Sequence, residues 1–177
     1  VPIQHTAIPC LYVFVEITID VPHLVDCLDL TLQEGRRPTT ARSEKPLIYL
    51  LGTIQFRHAL QQAQELLIQK GYETNIPQAK PLSPGKVLGC TSPKLANDPD
   101  AKVEINAMVC FVADGRFHLE STLISNPHIP LFLRYCPYSK VLTEESYDHD
   151  KMKPMRLEAI QKAASAKVFG ILLGTLG

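Results

Sequence analysis

Three short segments carry side chains whose types and spacing could do chemistry. The first is Leu88-Gly89-Cys90-Thr91-Ser92-Pro93, in which a cysteine sits between a glycine and small hydroxyl residues. Such a turn would leave backbone N–H groups beside the sulfur, a setting that stabilises a thiolate and suits a metal ligand or a nucleophile. The competing reading is a small buried hydrophobe, which is what most lone cysteines are. The second segment, Asp114-Gly115-Arg116-Phe117-His118, offers a cation for a carboxylate and a titratable imidazole at the start of a predicted helix, whose dipole favours the same anion. Its competing reading is an Asp114 N-cap followed by two solvated polar side chains. The third is Arg134-Tyr135-Cys136-Pro137-Tyr138, where the chain leaves a predicted strand.

The remaining candidates read as structural. Cys27 and Cys110 fall on apolar faces of a predicted helix and strand, and Cys10 begins a strand. His149 opens a predicted helix in which Asp148 and Asp150 suit the first turn, with Lys151, Lys153 and Arg156 as surface decoration. No GxGxxG, Walker loop, HExxH or GxSxG is present, and Gly174-Thr175-Leu176-Gly177 is too short for a phosphate loop.

The elements that must position these residues alternate short apolar runs with amphipathic stretches, the pattern of βαβ units feeding a parallel sheet. The runs predict strands over 11–19, 47–51, 72–76, 107–113, 131–135 and 169–177. Helices are predicted from Pro22 to about Leu32, from beyond Gly52-Thr53 to Lys70 with Gly71 as C-cap, from about Asp114 onward, and from Tyr147 to about Lys167. A polar, Arg-dense loop spans Gly35 to Pro46. A long Pro- and Gly-punctuated connection, 77–93, ends on the Cys90 segment, and long ordered loops in compact domains are usually functional. In open α/β sheets ligands sit beyond the carboxyl ends of the strands, so Gly52-Thr53, Gly89-Cys90-Thr91, Asp114 to His118 and Arg134 to Tyr138 are expected on one rim.

Length and composition bound the class. With 177 residues, 45% of them hydrophobic, the chain has room for a single α/β domain over 1–177 with an ordinary core. Eighteen Lys plus Arg balance eighteen Asp plus Glu, which argues against direct capture of nucleic acid or a membrane surface. No apolar run approaches the roughly 20 residues that span a bilayer. Five cysteines without a CxxC pair fit neither a disulfide framework nor a closed zinc site, and point to a reducing, cytoplasmic compartment. The start at Val1 without Met or signal layout, and the end on a glycine-bearing turn, read as an excerpt of a longer polypeptide.

Several segments together resemble the diphthamide-synthesis family, the first subunits of 2-(3-amino-3-carboxypropyl)histidine synthases. They are Leu11-Tyr12-Val13-Phe14-Val15-Glu16-Ile17, Thr53-Ile54-Gln55-Phe56, Pro81-Leu82-Ser83-Pro84-Gly85, the Cys90 segment, Asp114-Gly115-Arg116-Phe117-His118-Leu119-Glu120, Pro137-Tyr138-Ser139-Lys140-Val141-Leu142-Thr143, Tyr147-Asp148-His149 and 170–177. The likeness covers essentially the whole chain. It implies three similar α/β domains, each giving one cysteine to a shared 4Fe–4S cluster that cleaves S-adenosylmethionine at an unusual carbon–sulfur bond. The resulting 3-amino-3-carboxypropyl radical adds to a histidine of elongation factor 2. The chain resembles the middle domain, with Cys90 matching its cluster ligand and the flanking first and third domains absent. A related second subunit and an electron-donor protein are the other implied partners.

Arg116, His118, Glu120 and Arg134 lie in matching motifs and are read as substrate contacts, because an aminocarboxypropyl group must be held by its carboxylate. Two departures stand out. Cys136 replaces the Asp of an Arg-Tyr-Asp-Pro-Tyr pattern, so that any hydrogen-bonding role of that carboxylate is expected to be lost, and the Arg-rich insert from Gly35 to Lys45 is longer than the family pattern. A single Cys90 cannot hold a cluster, so the fragment alone is expected to be inactive. The residues alone leave two alternatives open: a self-contained enzyme with Cys90 as nucleophile and His118 as base, or a non-catalytic interaction module.

Overall fold

A computed structural model describes residues 17–35, 45–95 and 106–173. These fall into two compact units, one within 17–147 and one from Asp148 to 173. The larger unit carries the sheet. Its first helix, α1 (Val21–Gln33), is capped by the Asp20 side chain, which accepts from His23 N–H, and has Pro22 in its first turn; Val21, Leu24, Val25, Leu28 and Leu32 form the buried stripe. Strand β1 (Leu47–Gly52) leads through a 3₁₀ turn (Ile54–Phe56) into α2 (Arg57–Gln69), which buries Ala59, Leu60, Ala63 and Leu67 and ends at Gly71, φ +79°. After β2 (Thr74–Asn75) and the long connection come β3 (Ala107–Val112), α3 (Phe117–Ser125), β4 (Leu131–Cys136) and β5 (Val141–Glu145).

The sheet order is β2-β1-β3-β4-β5, parallel throughout except for the antiparallel β4–β5 pair. The apolar strands of the sequence reading thus form a mostly parallel sheet covered on both faces, as near-continuous apolar runs require. Alternation divides each run between two cores. Ile48, Leu50, Met108, Cys110, Val112, Leu133 and Tyr135 pack with α1 and α2. Tyr49, Leu51, Val109, Phe111 and Phe132 pack with Leu119 and Leu123 of α3 and with Val87 and Leu95 of the connection.

Four expectations are corrected. The strand over 72–76 shrinks to two edge residues, because the chain reaches Pro77, which has no N–H to donate. The helix after β3 starts at Phe117 with Arg116, not Asp114, as N-cap, and no side chain caps it. The predicted strand 169–177 is not formed over 169–173, whose side chains are exposed. In its place the unpredicted β5 folds back on β4 through a turn that Lys140 closes at φ 55°, its N–H donating to Cys136 O at 2.8 Å. Of the predicted first strand, 17–19 form no strand, and 11–16 lie outside the described residues, as do Cys10 and 36–44 of the Arg-rich loop.

The smaller unit contains α4 (His149–Ala164), capped by the Asp148 side chain on Lys151 N–H at 2.9 Å, with Asp150 in its first turn and none of its side chains buried. Among the described residues no helix is long and apolar enough to cross a membrane.

Candidate functional site

The order of strand addition switches sides at β1, since β2 lies on one side of it and β3 on the other. Ligands of open α/β sheets sit beyond the carboxyl ends of the strands at such a switch point. The connection runs alongside the end of β1: Gly52 N–H donates to Gly85 O at 2.9 Å and Val87 N–H to Gly52 O at 3.1 Å. Immediately after, Leu88 and Thr91 exchange backbone hydrogen bonds, 2.9 and 3.2 Å, and close a tight turn with Gly89 and Cys90 at its tip. After β1, the Thr53 hydroxyl is buried and has no hydrogen-bond partner among the described residues, an energetically costly state for a polar group.

Helix α3 clamps this turn. Ser121 Oγ donates to Leu88 O at 2.6 Å while also reaching His118 O within its own helix, and Ser92 Oγ donates to Thr122 Oγ1 at 3.0 Å. Asn126, fully buried at the end of α3, accepts from Leu95 N–H and donates to Pro93 O. The Phe117 ring lies against Gly89 so closely that a Cβ there would stand 2.6 Å from a ring carbon, and a larger residue would have to displace the exposed ring. Backbone and helix therefore hold the turn without help from the cysteine side chain. Cys90 is exposed and unoxidised, and among the described residues its one polar contact is Thr91 Oγ1 at 3.6 Å.

The other described cysteines differ in kind. Cys110 is fully buried in β3, and burial pushes its thiol up to about 12. Cys27 packs on the His23 imidazole, 3.6 Å from Nδ1, and burial raises its thiol above the ordinary value. Both fit the structural reading. At Cys136, hydrogen bonds from the Ser139 side chain and backbone and from the Tyr138 backbone hold the thiol below its ordinary value.

The charged candidates gather around the α3 N-terminus. Arg134 Nε donates to Glu145 Oε1 at 2.8 Å, an oxygen that also accepts from Thr143, and Arg116 donates to Glu145 Oε2, to Glu120 Oε1 at 3.3 Å and to the Ser146 carbonyl. Burial pushes the Glu145 carboxyl up, but the hydrogen bonds from Arg134, Thr143 and Arg116 outweigh it and hold the group below its ordinary value. His118 is half-buried, its ring edge-on to Phe117. The structure thus sets the Cys90 turn against Phe117 and Ser121 of α3, and links Arg116 with Arg134 through Glu145 and with Glu120 directly.

Comparison with known proteins decides the family. The profile described as "Putative diphthamide synthesis protein" matches residues 1–177, the whole chain. The chain belongs to the diphthamide-synthesis family. It is 51% identical over 168 residues to the human protein named 2-(3-amino-3-carboxypropyl)histidine synthase subunit 1, covering 94% of this chain and 34% of that one. The zebrafish (Danio rerio) protein of the same name is 47% identical over 178 residues, covering 100% and 42%. A crystal structure of Dph2 from Pyrococcus horikoshii with a 4Fe-4S cluster aligns with TM-score 0.56 and 25% identity, over 86% of this chain and 39% of that one. The chain thus spans about a third to two-fifths of the length of these diphthamide-synthesis relatives.

Glu145, Ser121 and Asn126 escaped the sequence reading. Glu145 lies on the strand that was not predicted, and the roles of Ser121 and Asn126 depend on a loop packing across a helix, which no periodicity reports. Ser121 follows the Arg116 to Glu120 motif directly, and that adjacency was the available signal.

Proposed function

We propose that this chain is the central of three α/β domains of a diphthamide-synthesis subunit and gives Cys90 as one thiolate to a 4Fe–4S cluster completed by cysteines of flanking domains. In this reading the whole enzyme transfers the 3-amino-3-carboxypropyl group of S-adenosylmethionine to a histidine of elongation factor 2. It works in the cytoplasm with a related second subunit and an electron-donor protein. The observation that carries it is the Cys90 turn: an exposed thiol on a rigid tip, at the sheet's switch point, that the fold itself does not use.

The donor set fits such a group. Soft thiolates suit iron–sulfur clusters, and a ligand shared among domains needs one accessible sulfur from each. When bound, the cluster supplies the electron for carbon–sulfur cleavage. The chain's own residues present the thiolate and hold the substrate: Arg116 is the carboxylate contact, with His118, Glu120 and Arg134 around it. Arg134, 18% exposed against 39% for Arg116, lies beneath and supports the site more than it touches ligand. A nucleophile at Cys90 would need a base within hydrogen-bond reach, and among the described residues the sulfur has none.

Anaerobic reconstitution of the full-length protein with iron and sulfide tests the reading. Cys90→Ala is expected to lose the broad visible absorption of the cluster; an unchanged band overturns Cys90 as ligand.

A further inference from the structure

Arg116 is held by more than its role as an N-cap requires. Three of its five N–H donors are engaged, Nε by Glu120, one terminal nitrogen by Glu145 and the other by the Ser146 carbonyl. That leaves one N–H on each terminal nitrogen, coplanar charged donors of the kind that serve a carboxylate. With 39% of its side chain exposed, the guanidinium can offer both to a ligand.

The three holding groups are not equivalent. Glu120 is four residues away on the same helix and half exposed, the kind of surface pair that fixes little. Ser146 contributes a neutral carbonyl. Glu145 alone is a nearly buried charge, with 10% of its side chain exposed, and it is itself fixed by Arg134 and Thr143 on the β4–β5 ladder. Its burial keeps it from reaching a ligand directly. It acts through the arginine.

We infer that Glu145 is a positioning residue that orients Arg116 to receive the carboxylate of the substrate's aminocarboxypropyl end. This rests on the reading of Arg116 as the carboxylate contact. Arg134 then serves as the counter-cation that keeps Glu145 ionised and in register, and the hairpin that carries Glu145 becomes part of the site.

The test uses the reconstituted full-length protein with its partner subunit and two probes, S-adenosylmethionine and its decarboxylated analogue. Glu145→Gln keeps the side-chain volume and removes the charge. It is expected to weaken S-adenosylmethionine binding about tenfold, the usual scale for losing a group that orients a ligand contact, and to leave the decarboxylated analogue unchanged. Equal weakening of both probes, or of neither, overturns the inference. Should Glu145→Gln fail to fold, Glu145→Asp decides: it keeps the charge one methylene short and is expected to weaken the carboxylate-bearing probe selectively, whereas equal loss on both probes again overturns it. The visible cluster band separates this outcome from the wider reading, because a band retained in Cys90→Ala refutes the cluster role whatever the Glu145 variants do.

Discussion

Cys90 and Cys136 both sit in tight turns next to strand ends, yet the two turns use their sulfurs in opposite ways. The Cys136 turn folds its side chain inward: Ser139 and Tyr138 donate to the sulfur, and the turn is finished by Lys140 at φ 55°. The Cys90 turn is closed by the Leu88–Thr91 backbone pair and clamped from outside by Ser121, so its sulfur faces solvent with Thr91 Oγ1 as its polar neighbour. A turn has a limited set of acceptors with which to satisfy its own N–H groups. Both turns are closed by backbone bonds, Leu88 with Thr91 in one and Lys140 N–H on Cys136 O in the other, so the distinction lies in what engages the sulfur: Ser139 and Tyr138 at Cys136, and the Thr91 hydroxyl at Cys90.

The largest expected effect breaks this comparison directly. In the reconstituted full-length protein, Cys90→Ala is expected to abolish the cluster absorption and Cys136→Ala to retain it. Loss in both, or in Cys136→Ala alone, would mean that the inward sulfur is the ligand. A smaller effect concerns the clamp. Ser121→Ala removes the hydroxyl that reaches Leu88 O and is expected to cost about 1 kcal/mol of stability, the net worth of a typical hydrogen bond. It should also raise amide hydrogen exchange at Leu88 and Thr91 while leaving Lys140 N–H protected. Equal exchange at the two turns in wild type and variant would show that α3 does not hold the Cys90 tip.

Much of this was legible from the residues, and what was not has a physical cause. The runs at 47–51 and 107–112 announced themselves because strands covered on both faces are apolar at nearly every position. Pro22 and Gly71 marked helix ends through backbone geometry alone. The Cys90 turn could be read because small residues on both sides of a cysteine are a local signal. Glu145 could not, since its partner is set by register: Arg134 pairs with Thr143 across the hairpin, which brings Glu145 onto the same guanidinium. That hairpin lacks an Asn-Gly or Asp-Gly signature and turns on a lysine in the left-handed region. The run at 169–173 misled for the converse reason, because apolar residues promise a strand only where a sheet edge receives them.

Titration separates the two charged parts of the rim. Glu145 has a folded pKa below its unfolded value, so its stabilisation is complete above the ordinary carboxylate range and is lost as pH falls through the folded value. The stability gap between wild type and Glu145→Gln, measured by urea unfolding, is therefore expected to be constant near neutrality and to close in acid. A gap that persists in acid would assign it to packing rather than charge.

The smallest effect is also the sharpest comparison of thiol with carboxylate. Hydrogen bonds from Ser139 and Tyr138 hold the Cys136 thiol below its ordinary value, and a carboxylate in its place would accept the same bonds more strongly than a thiol does. An Asp at this position is ionised from mild acid upward. The thiol, held below its ordinary value by these bonds, has its full stabilisation only above that ordinary value. Cys136→Asp is thus expected to be more stable than wild type by at most about 0.5 kcal/mol at neutral pH, the scale of a partly exposed substitution. That advantage should vanish above the ordinary thiol value. Urea unfolding of the two proteins at both pH values reads the difference, and a gap that does not change with pH would show that the sulfur packs in the turn without accepting hydrogen bonds as a thiolate.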